Sequence, residues 1–406
     1  MKIAMFGTFD IGNFGDLFFP IIAEQKLSEL GPVTITRFSY RAKSHATWCY
    51  DVEPIQRFPE LADQFDLVIV GGGHLLHFNR HMALDYMPTD PTIPHPLGFW
   101  WLPAVAAAMA GIPAALHGVS ADPAFPRWAT PLLKAFTDSL DYVSVRDPKT
   151  HALLSKYAQP GQEIAIVPDS VFSVSDVLKR GAPSAAFKAF SEEIGLEPNY
   201  LIIQPSHALR RFKPEILNLA ADAERRGWQV LELPIGYEIG NDIGFYGDVP
   251  GLKRVRSWPQ PMLLAEIIAN AQAVAGISLH LSVVASAYGV PVYRTPYADT
   301  SKFILLRDLP NIRFLTDDAP LVGWSDAEPD LTVVQEHKAR LDKHWRRISE
   351  LARGPKRTPK ARGWELLCDA PAAFRGTRDL SDSVAELKGD LHRQAQGMRY
   401  RLSKKA

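Results

Sequence analysis

Cysteine is almost absent from this chain: two in 406 residues, Cys49 and Cys368, far apart in sequence. That excludes a disulfide framework and a cysteine-rich zinc site, and it suits a reducing compartment. An excess of either charge is also lacking. Basic and acidic residues each number 45, for a net charge of zero, so no global field draws the chain to nucleic acid, and any basic site must be local. Long unbroken apolar runs are missing too. The nearest approach, residues 98–116, is interrupted by Pro103 and by Gly111-Ile112-Pro113, which makes it a helix and a following strand rather than a membrane span. The opening residues 1–7 are too short, and too soon followed by Asp10, for a signal peptide, and read as a first buried strand. A soluble, cytoplasmic protein is the expectation.

What is present describes a globular chain. Hydrophobic residues make up 46% and charged residues 22%, and 406 residues exceed what one ordinary core accommodates. The sequence repeats a strand–turn–helix rhythm. In the first half, strands are expected at 2–6, 33–38, 66–70, 114–117, 141–145 and 164–167, with helices at 17–30, 128–139 and 151–157 between them. Residues 66–70 are continuously apolar, as in a parallel strand covered on both faces. Residues 173–195 turn polar, and the rhythm then restarts with strands at 200–204, 229–233, 271–276 and 291–294. The fold class is therefore α/β: two doubly wound, Rossmann-like domains facing across a cleft, where a ligand would sit. We place the domains at 1–178 and 179–325, with C-terminal helices and a basic tail over 326–406. The tail holds an amphipathic helix at 332–352, a basic connector at 354–362 and a last helix at about 381–402.

One stretch organises the second half: Ala275-Gly276-Ile277-Ser278-Leu279-His280, running into a small-residue helix that Gly289 and Pro291 stop. A histidine where a strand hands over to a helix lies where such sheets keep their ligands, and the helix N-terminus favours phosphate or carboxylate. The first half offers a matching cradle, Gly7-Thr8-Phe9-Asp10-Ile11-Gly12-Asn13-Phe14-Gly15-Asp16. It is neither a dinucleotide fingerprint, since Asp10 takes the place of the first glycine, nor a Walker loop. A tight turn would explain its glycines, but Asn13 and Asp16 together point to function. Gly71-Gly72-Gly73-His74 is expected to end the third strand and leave room for a ligand. His74, His77, His81 and His95 cluster there without an HExxH pattern or a cysteine partner. No metal is expected; sugar contact or solvation suits them better. Arg146-Asp147 ends another strand, either as a site cation or as an ordinary ion pair at a helix start. The tail carries Arg393, Arg399, Arg401, Lys404 and Lys405 with no acid after Asp390. A solvated helix is the plain reading, and a peripheral contact with an anionic membrane face the sharper one.

The motifs Gly12-Asn13-Phe14-Gly15-Asp16, Gly71-Gly72-Gly73, Val145-Arg146-Asp147, Pro168-Asp169-Ser170-Val171-Phe172, Gly276…Leu279-His280…Gly289-Val290-Pro291 and Tyr297…Lys302 occur in this order. Together they resemble the polysaccharide pyruvyl transferase family over about residues 1–305. The resemblance implies a GT-B-like pair of domains and transfer of pyruvate from phosphoenolpyruvate, as co-substrate, onto sugar hydroxyls as a cyclic ketal in exopolysaccharide or cell-envelope biosynthesis. No cofactor is implied. His280 matches the histidine of the family's Gly-x-Arg-Leu-His motif, and Ser278 stands where that motif has arginine. A serine supplies no charged fork, so Arg146, Arg210, Arg294 or Lys302 is expected to hold the donor's anionic groups with Ser278 and Leu279. His280 and Asp16 are the expected catalytic residues. Asn13, Gly15, Gly72, Gly73, His74 and Asp169 are expected on the acceptor side, with Asp169 also a candidate for orienting the histidine. Two other readings stay open: a GT-B-type glycosyltransferase using a nucleotide sugar, and a non-catalytic relative within a polysaccharide assembly complex.

Overall fold

The computed structural model describes residues 1–78, 97–236, 252–255, 258–295, 301–315, 320–326 and 328–359. His81, His95, Cys368 and the tail from 360 onward, including the helix expected at 381–402 and its basic residues, lie outside the described residues.

Among the described residues, thirteen strands form two parallel sheets. The first contains β1 (Lys2–Phe6), β2 (Thr34–Ser39), β3 (Glu53–Pro54), β4 (Leu67–Leu76), β5 (Ala114–Ala121), β6 (Tyr142–Val145) and β7 (Ile164–Ile166). The second contains β8 (Tyr200–Ile203), β9 (Gln229–Glu232), β10 (Lys253–Arg254), β11 (Ala273–Ala275), β12 (Val292–Arg294) and β13 (Ile312–Phe314). Their spatial orders are β3-β2-β1-β4-β5-β6-β7 and β10-β9-β8-β11-β12-β13. Both start from a central strand, wind outward to one edge, then return to wind the other way. The reversals fall between β1 and β4 and between β8 and β11, where doubly wound sheets open a crevice at their strand ends.

The strand sequences account for this placement. β1, β4, β5 and β8 are almost wholly buried, because parallel strands are covered by helices on both faces. The helices present apolar stripes to the sheets. That of Phe14–Ser28 buries Phe14, Leu17, Phe18, Phe19, Ile22 and Leu27. That of Leu279–Ala287 is buried along its whole length, which explains its run of Val, Ala and Ser. These two helices share one hydrophobic cluster with Ile3, Met5, Tyr200 and Val274, so the core runs unbroken from one sheet to the other. The amphipathic helix expected at 332–352 spans Thr332–Arg353 and adds Leu341, Trp345 and Ile348 to that cluster.

Two strands run further than their glycines suggest. β4 passes through Gly71-Gly72-Gly73-His74 instead of stopping there, still paired with β5 as Gly71 to His117 and Gly73 to Val119. All three glycines have positive φ, at 143°, 63° and 88°, a region that L side chains avoid. A Cβ on Gly71 would come within 2.3 Å of the His117 carbonyl oxygen, and one on Gly72 within 2.2 Å of the Phe19 ring. The glycines serve close packing within the strand rather than a turn. β5 likewise continues through Gly118 to Ala121. The run at 98–116 resolves into a helix, Trp101–Met109, and then β5, and no helix among the described residues is long and apolar enough to cross a membrane.

Candidate active site

The two crevices meet. The Phe14–Ser28 helix begins just beyond β1, and the Leu279–Ala287 helix just beyond β11. A Cβ placed on Gly15 would fall 1.7 Å from Nδ1 of His280 and 2.1 Å from its Cγ and Cε1. The imidazole therefore lies directly on the backbone of the first turn of the opposite helix, and only glycine admits it there. The Phe19 ring meets the imidazole edge-on at 5.6 Å between centroids. Two helix N-termini, each with a partial positive charge from its aligned peptides, thus converge on one buried histidine.

Behind His280 stands a charged pair. Asp169 Oδ2 lies 3.2 Å from Nη1 of Arg146 and 3.4 Å from Nε2 of His280. The Arg146–Asp169 contact is a hydrogen bond. The His280 contact is a charge contact without hydrogen-bond geometry, since Nε2 is buried and finds no hydrogen-bond partner among the described residues. The other oxygen, Oδ1, accepts from the Val171 amide at 3.1 Å and caps the short 3-10 turn Ser170–Ser173. Burial alone would raise the Asp169 pKa, but His280, Arg146 and the Val171 amide outweigh it and hold the carboxyl down at about 2. It is a fixed anion. Arg146 also donates from Nη2 to Ser120 Oγ at 2.7 Å, while its buried Nε finds no acceptor among the described residues. Arg146 does not pair with its sequence neighbour. Asp147 caps the helix Pro148–Leu154 instead, accepting from the amide and hydroxyl of Thr150.

On the first-domain side, Asp16 Oδ2 accepts from Thr8 Oγ1 at 2.7 Å and from Asn13 Nδ2 at 2.9 Å. Its Oδ1 would be 3.0 Å from a Cβ on Gly73, so the end of β1 and the glycine run of β4 share this carboxylate. Asn13 also forms an antiparallel bridge with Gly236 of the second domain. His74 sits between two partners, Nδ1 3.0 Å from Ser120 Oγ and Nε2 3.0 Å from Asp122 Oδ1, with His77 stacked on its ring. Asp10 is fully buried and accepts from Ser39 Oγ and the Arg41 amide, which makes it a brace for the loop.

On the second-domain side, Ser278 caps the helix, its hydroxyl accepting from the Leu281 amide at 3.4 Å. The side-chain oxygen of Gln204, from the end of β8, accepts from the Ile277 and Ser278 amides at 2.9 Å each. No acceptor among the described residues meets the Leu279 and His280 amides, so both can receive an anion. Leu279 itself is buried in the core. Arg294 is 2% exposed; it donates from Nη1 to Ser282 Oγ and from Nη2 to the Ile277 carbonyl, and so braces the loop from beneath. Arg210 and Lys302 fall on the 3-10 turns His207–Phe212 and Ser301–Leu306, and their side chains lie outside the described residues. Among the described residues, no group of three His, Cys, Asp or Glu side chains is arranged to hold a metal ion.

Sequence reasoning thus named His280, Arg146, Asp169, Asp16, Asn13 and the glycines that the fold brings together. It missed Ser120, Asp122, Gln204, Thr8 and Phe19, whose residue types and spacing carry no signal in one dimension.

The family model of polysaccharide pyruvyl transferases matches residues 13–299, from the turn at Asn13 to just past β12. The chain belongs to the polysaccharide pyruvyl transferase family. Membership places it among transferases of polysaccharide biosynthesis and implies a sugar or glycan acceptor. A search of curated proteins by sequence found no significant match. Among solved structures the chain is similar to UDP-GlcNAc 2-epimerase from Methanocaldococcus jannaschii, at 11% identity and a TM-score of 0.50, covering 92% of this chain and 100% of that one. It is also similar to the UDP-GlcNAc 2-epimerase of Neisseria meningitidis bound to UDP-GlcNAc, at 11% identity, a TM-score of 0.48 and coverage of 92% and 100%. At such identity the first likeness is one of fold: two GT-B-like α/β halves with a helical C-terminal part. Within this polysaccharide pyruvyl transferase family member, Ser278 acts as a helix cap.

Proposed function

We propose that this family member transfers the pyruvyl group of phosphoenolpyruvate to a pair of hydroxyls on a glycan or its lipid-linked precursor, forming a ketal. The observation that carries this reading is the convergence of His280, Arg146 and two helix N-termini at the facing crevices, that of Leu279–Ala287 with two amides free among the described residues. Phosphoenolpyruvate brings a carboxylate and a phosphate, and such donors hold both without a metal or redox group. Arg146, with an unspent Nε–H, and the amides of Leu279 and His280 are the proposed donor contacts. Ser278 and Arg294, with Arg210 and Lys302, are proposed for the same side. Asp16, Asn13, Gly15, Gly72, Gly73 and His74 line the proposed acceptor side.

The chemistry runs in two additions. A proton reaches the enol carbon C3, and C2 becomes an oxocarbenium-like centre that a first sugar hydroxyl attacks. Phosphate then leaves with the C2–O bond pair, and the second hydroxyl closes the ketal. Of the two hydroxyl protons released, one offsets that taken up by C3 and the other leaves with phosphate. An imidazole exchanges protons near neutrality, and in this reading His280 serves C3 and the first hydroxyl. Asp169, with both oxygens engaged, is a positioning residue: it faces Nε2 and leaves Nδ1, beside Gly15, as the working nitrogen. Asp16, held by Thr8 and Asn13, is the proposed partner for a sugar hydroxyl. The reaction is placed in the cytoplasm, with any membrane contact through the tail.

The rival donor is a nucleotide sugar. Calorimetry with phosphoenolpyruvate and with UDP-sugars separates the two: the proposal expects phosphoenolpyruvate to bind and Arg146→Gln to weaken it at least tenfold. Binding of a UDP-sugar alone overturns it.

A further inference from the structure

The partners of Ser120 impose a direction on every hydrogen bond between Asp122 and Arg146. A guanidinium only donates, so Ser120 Oγ accepts from Arg146 Nη2, at 2.7 Å. An ionised carboxylate only accepts, so Asp122 Oδ1 takes the proton on His74 Nε2, 3.0 Å away. That fixes the neutral imidazole with Nδ1 bare. Nδ1, 3.0 Å from Ser120 Oγ, then accepts the one proton the serine has to give. Ser120 is fully buried and Arg146 nearly so, so water offers neither group an alternative. On its other side Arg146 donates from Nη1 to Asp169, whose carboxylate faces His280.

We infer that Asp122, His74 and Ser120 form a positioning array that holds the Arg146 guanidinium in one orientation. This rests on the reading of Arg146 as a donor-binding cation. Both ring nitrogens of His74 are engaged, so its task is to keep the serine lone pairs turned toward Arg146. The arrangement resembles a hydrolase triad in composition, but its serine is buried and its oxygen is spent on an arginine. No bond is made or broken within it.

Substituting Asp122→Asn keeps the shape and removes the charge that pins the proton to Nε2, leaving an amide that can donate as well as accept. An asparagine amide turned to donate drives the histidine proton to Nδ1, which then competes with Arg146 for the serine oxygen. Long-range proton–nitrogen correlation on histidine-labelled protein reads the tautomer, calorimetry reads phosphoenolpyruvate affinity, and kcat and KM are measured alongside. The inference expects the Nε2–H tautomer in the wild type and Nδ1–H in D122N, with about tenfold weaker donor binding and kcat at saturation within about threefold. His74→Gln, whose amide can accept from Ser120 and donate to Asp122, should bind the donor better than His74→Leu. Unchanged donor affinity in a folded D122N protein with the switched tautomer overturns the inference, as does a fall in kcat at unchanged affinity. A wild type that binds no phosphoenolpyruvate, with the tautomer still differing between wild type and D122N, counts against the donor reading and for the polarity of the array.

Discussion

Gly15 carries a hydrogen where other residues carry a Cβ, and the His280 ring occupies that space. Gly15→Ala puts a methyl group 1.7 Å from Nδ1, so the imidazole or the helix start must shift. Overpacking of this kind costs about 1–3 kcal/mol, and a displacement near 1 Å at a reacting group costs about 100-fold in rate. The expected outcome is a folded protein, a modest loss in a urea melt and near-complete loss of turnover. Wild-type turnover in this variant contradicts the placement of His280. The residues of the site were legible to the extent that their types are rare: one histidine beside a helix start, one arginine at a strand end. Their partnerships were not. Arg146 might have paired with Asp147 next to it, but it reaches Asp169, 23 residues on, because Asp147 is spent on Thr150. Only the order of the strands brings Ser120, Arg146 and Asp169 onto adjacent strand ends.

Among the elements, the Leu279–Ala287 helix shows what Ser278 does. Its hydroxyl caps the helix, and Gln204 secures the two amides before it. Ser278→Ala removes the cap and should lower stability by about 1 kcal/mol, with Ser278→Asp losing much less; thermal melts of the three proteins decide it. A melt in which Ala and Ser are equal contradicts the capping role. Most of the strand and helix order was readable from apolar periodicity, but the short edge strands β3, β10 and β13 were not. The glycine run of β4 was not, because glycine in a strand and glycine in a turn look alike in one dimension. What separates them is the ladder to β5 and the Phe19 ring lying on Gly72.

For the whole molecule, the C-terminal helix returns to pack on the first domain. His344 on that helix lies 2.7 Å through Nε2 from His117 Nδ1 on β5, and its Nδ1 lies 2.9 Å from the Tyr142 hydroxyl. Lys26 joins the same helix through Asp342, and Asp176 beside it. Burial lowers the His117 pKa to about 4 and that of His344 well below its ordinary value, so both fold neutral. The unfolded chain takes up protons at these positions near pH 6.5. Their contribution to stability is therefore complete above about pH 6.5 and is lost as the pH falls from there toward 4. Urea midpoints measured from pH 8 to 4 should fall in that window, with a shallower slope in His344→Leu. A midpoint that stays level down to pH 4 contradicts the neutral buried pair. The two-domain architecture was visible in the repeating rhythm, but the continuous core between the sheets was not, since apolar faces do not announce which neighbour they meet.

The central claim is that His280 delivers a proton to the enol carbon of phosphoenolpyruvate at the meeting of the two crevices. Its most direct test is turnover in D2O with phosphoenolpyruvate and candidate glycan diols, followed by proton and phosphorus NMR. The account predicts one inorganic phosphate released per ketal formed, a ketal methyl group carrying one solvent deuteron, and loss of both signals in His280→Gln. Ketal formation that persists in a folded His280→Gln protein, or a wild type that leaves phosphoenolpyruvate untouched with every diol while transferring from a nucleotide sugar, contradicts it.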